Sequence, residues 1–224
     1  MKKFFSPDNI IIKFLTLFCD WMFYNILFML FSLPIVTMGA SLTAIYSLCF
    51  KRLDNKEVHV FRTFWKEFKS NFKQSTLFWV PFLLICLILT GSVYISHNIV
   101  DEKYMFLQYP SSILLFLIVA GSIFVLPQAA LFDSPLKVMI KNSVLLAITN
   151  IPTVILVIVT PVFLLLLAGI SAKMTAIIAS LLLFFGFGAI IFFYSIFFRR
   201  IFLKLLPESE ESEDRIPDGD FGEN

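Results

Sequence analysis

Two consecutive stretches decide the fold: LPIVTMGASLTAIYSLCF over residues 33–50, and KRLDNKEVHVFRTFWKEFKSNFKQST over residues 51–76. The first is apolar and rich in small residues. The second carries seven cations against three acids and cannot dissolve in hydrocarbon. Their junction at Lys51-Arg52 therefore ties this point of the chain to one face of a membrane.

Outward from that junction, long runs almost free of charge alternate with short charged segments. Only 15% of the residues are charged and 58% are hydrophobic, where a soluble domain carries roughly a quarter charged residues. A helix of about 20 apolar residues crosses the ~30 Å hydrocarbon core. Runs of about that kind occupy 14–33, 35–50, 77–96, 112–132, 144–170 and 174–198. They are continuously apolar rather than alternating, which argues against a membrane β-barrel. The reading is all-α: one polytopic helical membrane domain over 1–206 with six transmembrane helices. The run at 35–50 is short, so a re-entrant segment stays open as its alternative. No secretory signal is evident, because the apolar run after Lys2-Lys3 is too long and lacks a small-residue cleavage site.

Proline sharpens the boundaries. Pro34 separates the first two runs, since proline lacks an N–H and clashes with the preceding turn. Pro152 and Pro161 predict kinks rather than breaks, because neighbouring helices in a bundle re-satisfy the freed carbonyls.

Cations orient the bundle. With six spans and the N-terminus in the cytoplasm, all Lys and Arg except Lys103 and Lys173 fall on the cytoplasmic side. Both termini of this multi-pass protein are then cytoplasmic. The tail over 207–224 has eight acids and a single Arg215. Such composition buries too little apolar surface to fold alone, which predicts a disordered acidic tail.

The linker predicts an amphipathic helix over 58–73. Phe61, Phe64, Trp65, Phe68 and Phe72 share one face, while Arg62, Lys66, Lys69 and Lys73 recur at the same spacing on another. A helix of this kind lies along the bilayer surface with its cations toward anionic headgroups. The four cations are the candidate docking residues, for lipid or for a protein partner. Nucleic acid is not expected, since no nucleic-acid-binding module accompanies the patch.

Inside the apolar runs the polar candidates are Asp20 and Asn25. A carboxylate at membrane depth costs about 2.5–3.5 kcal/mol on insertion scales, so Asp20 needs a partner within the bundle. Its roles divide between a locked packing contact and a proton, cation or substrate contact. Gly39 with Thr43 and Ala40 with Ala44 allow close helix approach, as do Ala172, Ala176 and Ser180 in the last run. Gly186 and Gly188 add flexibility there. Cys19, Cys49 and Cys86 stand alone in apolar sequence and read as small buried residues. The segments Lys73–Leu77 and Lys141–Leu145 look alike, from a duplicated hairpin or from the shared chemistry of any span leaving a basic loop.

Catalytic signatures are missing. His59 and His97 are isolated, and no HExxH, GxSxG or phosphate-binding loop occurs. Neither a metal nor another cofactor is expected.

Three places carry a family resemblance: Asp20 and Asn25 leading into Leu33-Pro-Ile-Val-Thr-Met-Gly-Ala-Ser-Leu-Thr-Ala-Ile-Tyr46; the Phe61-Arg-Thr-Phe64 run leading to Asn71-Phe-Lys-Gln-Ser-Thr76; and Phe132-Asp-Ser-Pro-Leu-Lys137 with Lys141-Asn142. On these motifs the chain resembles the YesL-like bacterial membrane proteins, a family of unknown function. It departs mildly in Asn25-Ile-Leu-Phe28, where the family often has Asn-Leu-Leu-Trp. The resemblance implies a plasma-membrane protein. Family members often accompany genes for sugar-uptake ABC transporters and polysaccharide breakdown, which implies an accessory role in carbohydrate uptake with ABC transporter subunits as partners. It brings no established catalytic or binding residues. The alternative is a stand-alone transporter or channel with Asp20, Asn25 and the stripe over 37–43 lining its path.

Overall fold

Gly39 shows why the small residues gather where they do. A Cβ added there would lie 2.6 Å from Cβ of Trp79, so only glycine lets the second helix seat against the third. One turn on, Thr43 Oγ1 and Ser75 Oγ lie 2.9 Å apart, both buried. The side chains from Gly39 to Phe50 are almost all buried, and this helix packs against α1, α3, α5 and α9.

The computed structural model describes residues 10–56, 58–98, 106 and 108–205, and shows helices with no strand among them. In chain order these are α1 (Ile10–Phe31), a single turn at Ile35–Thr37, α2 (Met38–Leu53), α3 (Val60–Asn98), α4 (Gln108–Ser122), α5 (Val125–Ala129), α6 (Leu136–Thr149), α7 (Ile151–Gly169), α8 (Ala172–Leu181) and α9 (Phe187–Leu203). A wide π-helical turn, Leu182–Gly186, joins α8 to α9. The acidic tail and the loop with Asp101, Glu102 and Lys103 lie outside the described residues.

The end of α2 is built from sequence-local chemistry. Asp54 caps it and Asn55 takes the left-handed conformation (φ 55°). The Asn55 N–H donates to the Arg52 carbonyl and the Lys56 N–H to the Lys51 carbonyl. This paired closure satisfies carbonyls that the last turn leaves free, and asparagine tolerates the required φ better than most side chains.

Among the described residues, four helical stretches are long and apolar enough to cross a membrane: Val60–His97, Gln108–Ala129, Ile151–Gly169 and Ala172–Leu203. The 22-residue α1 is also predominantly apolar, whereas the 16-residue α2 extends only about 24 Å at 1.5 Å per residue. α1 packs on the π-helical turn and the start of α9, where Phe18 meets Phe185, Phe28 meets Phe187 and Trp21 meets Phe192.

Three boundaries differ from expectation. The basic linker does not form a helix of its own; from Val60 it continues without a break into the apolar run as the 39-residue α3. The run at 112–132 is interrupted at Ile123-Phe124, where the Phe124 N–H donates to Ser143 Oγ at 3.1 Å. The run at 144–170 divides at Asn150 (φ −124°, ψ 47°), with Pro152 in the first turn of α7. Proline suits a helix start because its missing N–H would be unpaired there anyway. Pro152 therefore marks a break, whereas Pro161 lies inside a continuous α7. The segment with Lys137 and Lys141, read as a loop, is the start of α6, which follows the extended Pro135.

The core joins α1, α2, the start of α3, the turn at Phe124, the end of α6, the start of α7 and α9. Phe50, Phe124, Phe132, Phe198 and Phe202 form its centre through edge-on ring contacts, the geometry favoured by the aromatic quadrupole. Of the cysteines only Cys49 is fully buried; Cys19 is exposed and Cys86 intermediate.

Candidate docking ridge and ion-pair hub

α3 between Val60 and Thr76 sorts its side chains by angle. Phe64, Phe68, Asn71 and Ser75, at spacings of three and four, are buried. The rings of Phe64 and Phe68 pack on Phe31, 5.1 and 5.3 Å between centroids. Arg62, Lys66, Lys69 and Lys73 are exposed and follow the opposite side. Between the two stripes lie the exposed rings of Phe61, Trp65 and Phe72. The single aromatic face expected from spacing is therefore split: two rings are buried against the bundle and three are exposed, of which Trp65 also touches Phe31, 5.5 Å between centroids. Lys69 Nζ sits 4.7 Å from the Trp65 ring centroid, a cation–π distance. Among the described residues no carboxylate pairs with any of the four ridge cations.

Behind the ridge, one turn at the end of α2 makes three ion pairs with three different helices. Lys51 Nζ meets Glu67 of α3 at 2.7 Å, Arg52 meets Asp20 of α1 at 3.0 Å, and Asp54 meets Arg199 of α9 at 2.5 Å. Glu67 and Asp20 are mostly shielded, with 16% and 15% of their side chains exposed, so the surrounding water screens these pairs less than it would a surface pair. The Lys51–Glu67 pair ties the ridge segment of α3 to the end of α2, and the other two tie that same end to α1 and α9. Beside them a polar cavity of about 340 Å³ opens, lined by Ser47, Lys51, Asp54, Glu67, Asn71 and Asp133 among others.

Asp20 therefore has the partner that its position demanded, and that partner is Arg52 from the junction itself. Asn25 is fully buried. Its Nδ2 donates to the Leu182 carbonyl at 3.1 Å and the Leu183 carbonyl at 2.5 Å, and its Oδ1 accepts from the Gly188 N–H at 3.3 Å. It thus fastens α1 to the π-helical turn. Gly188 is the second forced glycine, since a Cβ there would collide with the Trp21 carbonyl oxygen. Ala172, Ala176 and Ser180 behave differently from expectation: they are exposed, so the close approach in this arm occurs at Gly188 instead.

The structure brings Asp20 to Arg52 but keeps Asp20 and Asn25 apart from the ridge. Sequence reading missed Asp54, Glu67 and Arg199 as partners. The sequence shows only that charges of both signs lie near the α2 end, inside the basic stretch and after the last apolar run; it does not pair them.

Residues 21–93 match the family model described as "Protein of unknown function, DUF624". The matched stretch takes in Asn25, α2, the hub residues of α2 and α3, and the whole ridge. No curated protein matches the chain, and no solved structure does.

Proposed function

We propose that this chain is an integral plasma-membrane accessory subunit that docks a partner through the α3 ridge, in the carbohydrate (ABC-type) uptake setting that the family resemblance implies. The observation carrying this reading is the ridge: Arg62, Lys66, Lys69 and Lys73 stand exposed beside Phe61, Trp65 and Phe72. Aromatic rings flanked by cations are the chemistry of interaction surfaces, where the rings supply burial and the charges steer approach. α3 is also suited to the task by length. At 1.5 Å per residue its 39 residues span about 58 Å, nearly twice the hydrocarbon thickness. A charged portion of about 25 Å thus remains for the interface and beyond. With cations held on the cytoplasmic side, the ridge faces cytoplasmic partners and anionic headgroups.

The test is co-purification from native membranes. The variant R62E/K66E/K69E/K73E should insert normally and lose its partner. If transporter subunits, or any specific partner, come down equally with both proteins, the docking reading fails.

One observation favours the alternative, a solute path: the polar cavity beside Lys51 and Glu67. That cavity includes neither Asp20 nor Asn25, so it supports a transporter less than the ridge supports docking. Solute flux through reconstituted protein that is lost in D20A would reverse the ranking.

A further inference from the structure

A furrow of about 490 Å³ runs between α3 and α6, floored by α4 and the start of α5. Its walls are apolar: Leu77, Pro81 and Ile85 from one side, Leu136, Ile140 and Val144 from the other. The two walls run the same way. Gln74 Nε2 donates to the Ser134 carbonyl at 2.7 Å at one end, and Gly121 of the floor lies against Val144 further along.

The end marked by Gln74 is cationic. Lys73 precedes Leu77 by one helical turn and so continues the Leu77–Pro81–Ile85 wall. Lys137 and Lys141 follow Leu136 and Ile140 in sequence and so form an exposed row beside the other wall, about 100° round α6 from it. All three lysines are exposed, and none has an ion-pair partner among the described residues. The acids nearest in sequence are turned to other uses: Glu67 pairs with Lys51, and Asp133 lines the polar cavity behind. An apolar trough closed at one end by unpaired cations complements a molecule with a hydrocarbon chain and an anionic head.

We infer that the α3–α6 furrow is a binding site for an anionic phospholipid, an acyl chain lying along it and the phosphate held by Lys73, Lys137 and Lys141. The lysine stems extend the apolar walls while their ammonium groups reach the headgroup level. A zwitterionic lipid offers the same chain but a head without net charge, so the lysines discriminate between the two. The site shares Lys73 with the docking ridge but does not depend on docking being correct.

Native mass spectrometry of the purified full chain, given equimolar phosphatidylglycerol and phosphatidylcholine in detergent, tests this. Each cation near an anionic headgroup contributes about fivefold in affinity, so a preference for phosphatidylglycerol of at least tenfold is expected. K73Q/K137Q/K141Q should bring that preference close to parity, whereas R62Q/K66Q/K69Q should retain it. I140W, which narrows the furrow, should reduce retention of both lipids. The inference is overturned if the natural chain shows no preference, if the two triple variants lose it equally, or if I140W retains both lipids unchanged. Failure of partner capture in the ridge experiment leaves all of these outcomes untouched.

Discussion

Replacing Asn25 by alanine should destabilise the protein by about 2 kcal/mol without altering its ridge. Three hydrogen bonds are lost at once, to the carbonyls of Leu182 and Leu183 and from the N–H of Gly188. In a water-soluble core each orphaned group would cost about 1–3 kcal/mol. Within a membrane bundle the measured average is nearer 0.6 kcal/mol per interhelical bond, because the separated helices also find partners. Three such bonds give the ~2 kcal/mol figure, with the cavity left by the amide adding to it. For a chain of this size that corresponds to a fall of roughly 4–8 °C in the unfolding midpoint. The assay is thermal unfolding in a mild detergent, followed by circular dichroism and by the accessibility of buried Cys49. Asparagine also explains why the π-helical turn persists, since Asn25 holds two of its carbonyls. N25A should therefore combine non-additively with deletion of one residue in 182–186, which lets that turn relax to an ordinary α-helix. A midpoint for N25A within 1 °C of the natural protein would refute the reasoning, and so would strict additivity with the deletion.

Gly188→Ala should lower the same midpoint, at a cost of about 1–3 kcal/mol, because the new methyl meets a backbone carbonyl rather than a flexible side chain. Gly169→Ala, at a position where a Cβ meets nothing, is the matched control and should be neutral or slightly stabilising. Glu67→Lys and Lys51→Glu should each cost up to about 1 kcal/mol, and the double swap should recover most of it in low salt; no recovery would show that the pair does not hold α3. A cysteine at position 66 or 69 should resist a membrane-impermeant maleimide applied to intact cells and react after permeabilisation. Labelling from outside would invert the orientation on which the docking reading rests.

What could be read from the sequence, and what could not, follows from the range of each interaction. The Lys51-Arg52 boundary, the helix-forming linker and the small-residue contact at Gly39 depend on a few neighbouring residues, and local chemistry exposes them. Asp20 was recognisable as needing a partner because an unpaired carboxylate in an apolar run is costly wherever the chain goes. That the partner is Arg52, that Glu67 takes Lys51, and that Arg199 takes Asp54 depend on how helices cross, which periodicity does not encode. Span counting meets the same limit at α2. Apolar composition marks α1 and α2 as buried, but the solvent of burial differs: α2 is surrounded by protein nearly all round, so its hydrophobicity reports a core position as well as it reports lipid. The aromatic face of α3 shows the limit most clearly. Spacing puts Phe61, Phe64, Trp65, Phe68 and Phe72 on one side of a helix, but it does not show that Phe31, some thirty residues earlier, packs on Phe64, Trp65 and Phe68, or that only Phe64 and Phe68 of the five become buried. The cations on the far side have no acid beside them because Glu67, the acid of this helix, is not three or four residues from any of them and lies on the side that meets Lys51. That pair ties α3 to the end of α2, so weakening it should loosen the seat of the ridge although neither residue lies on it.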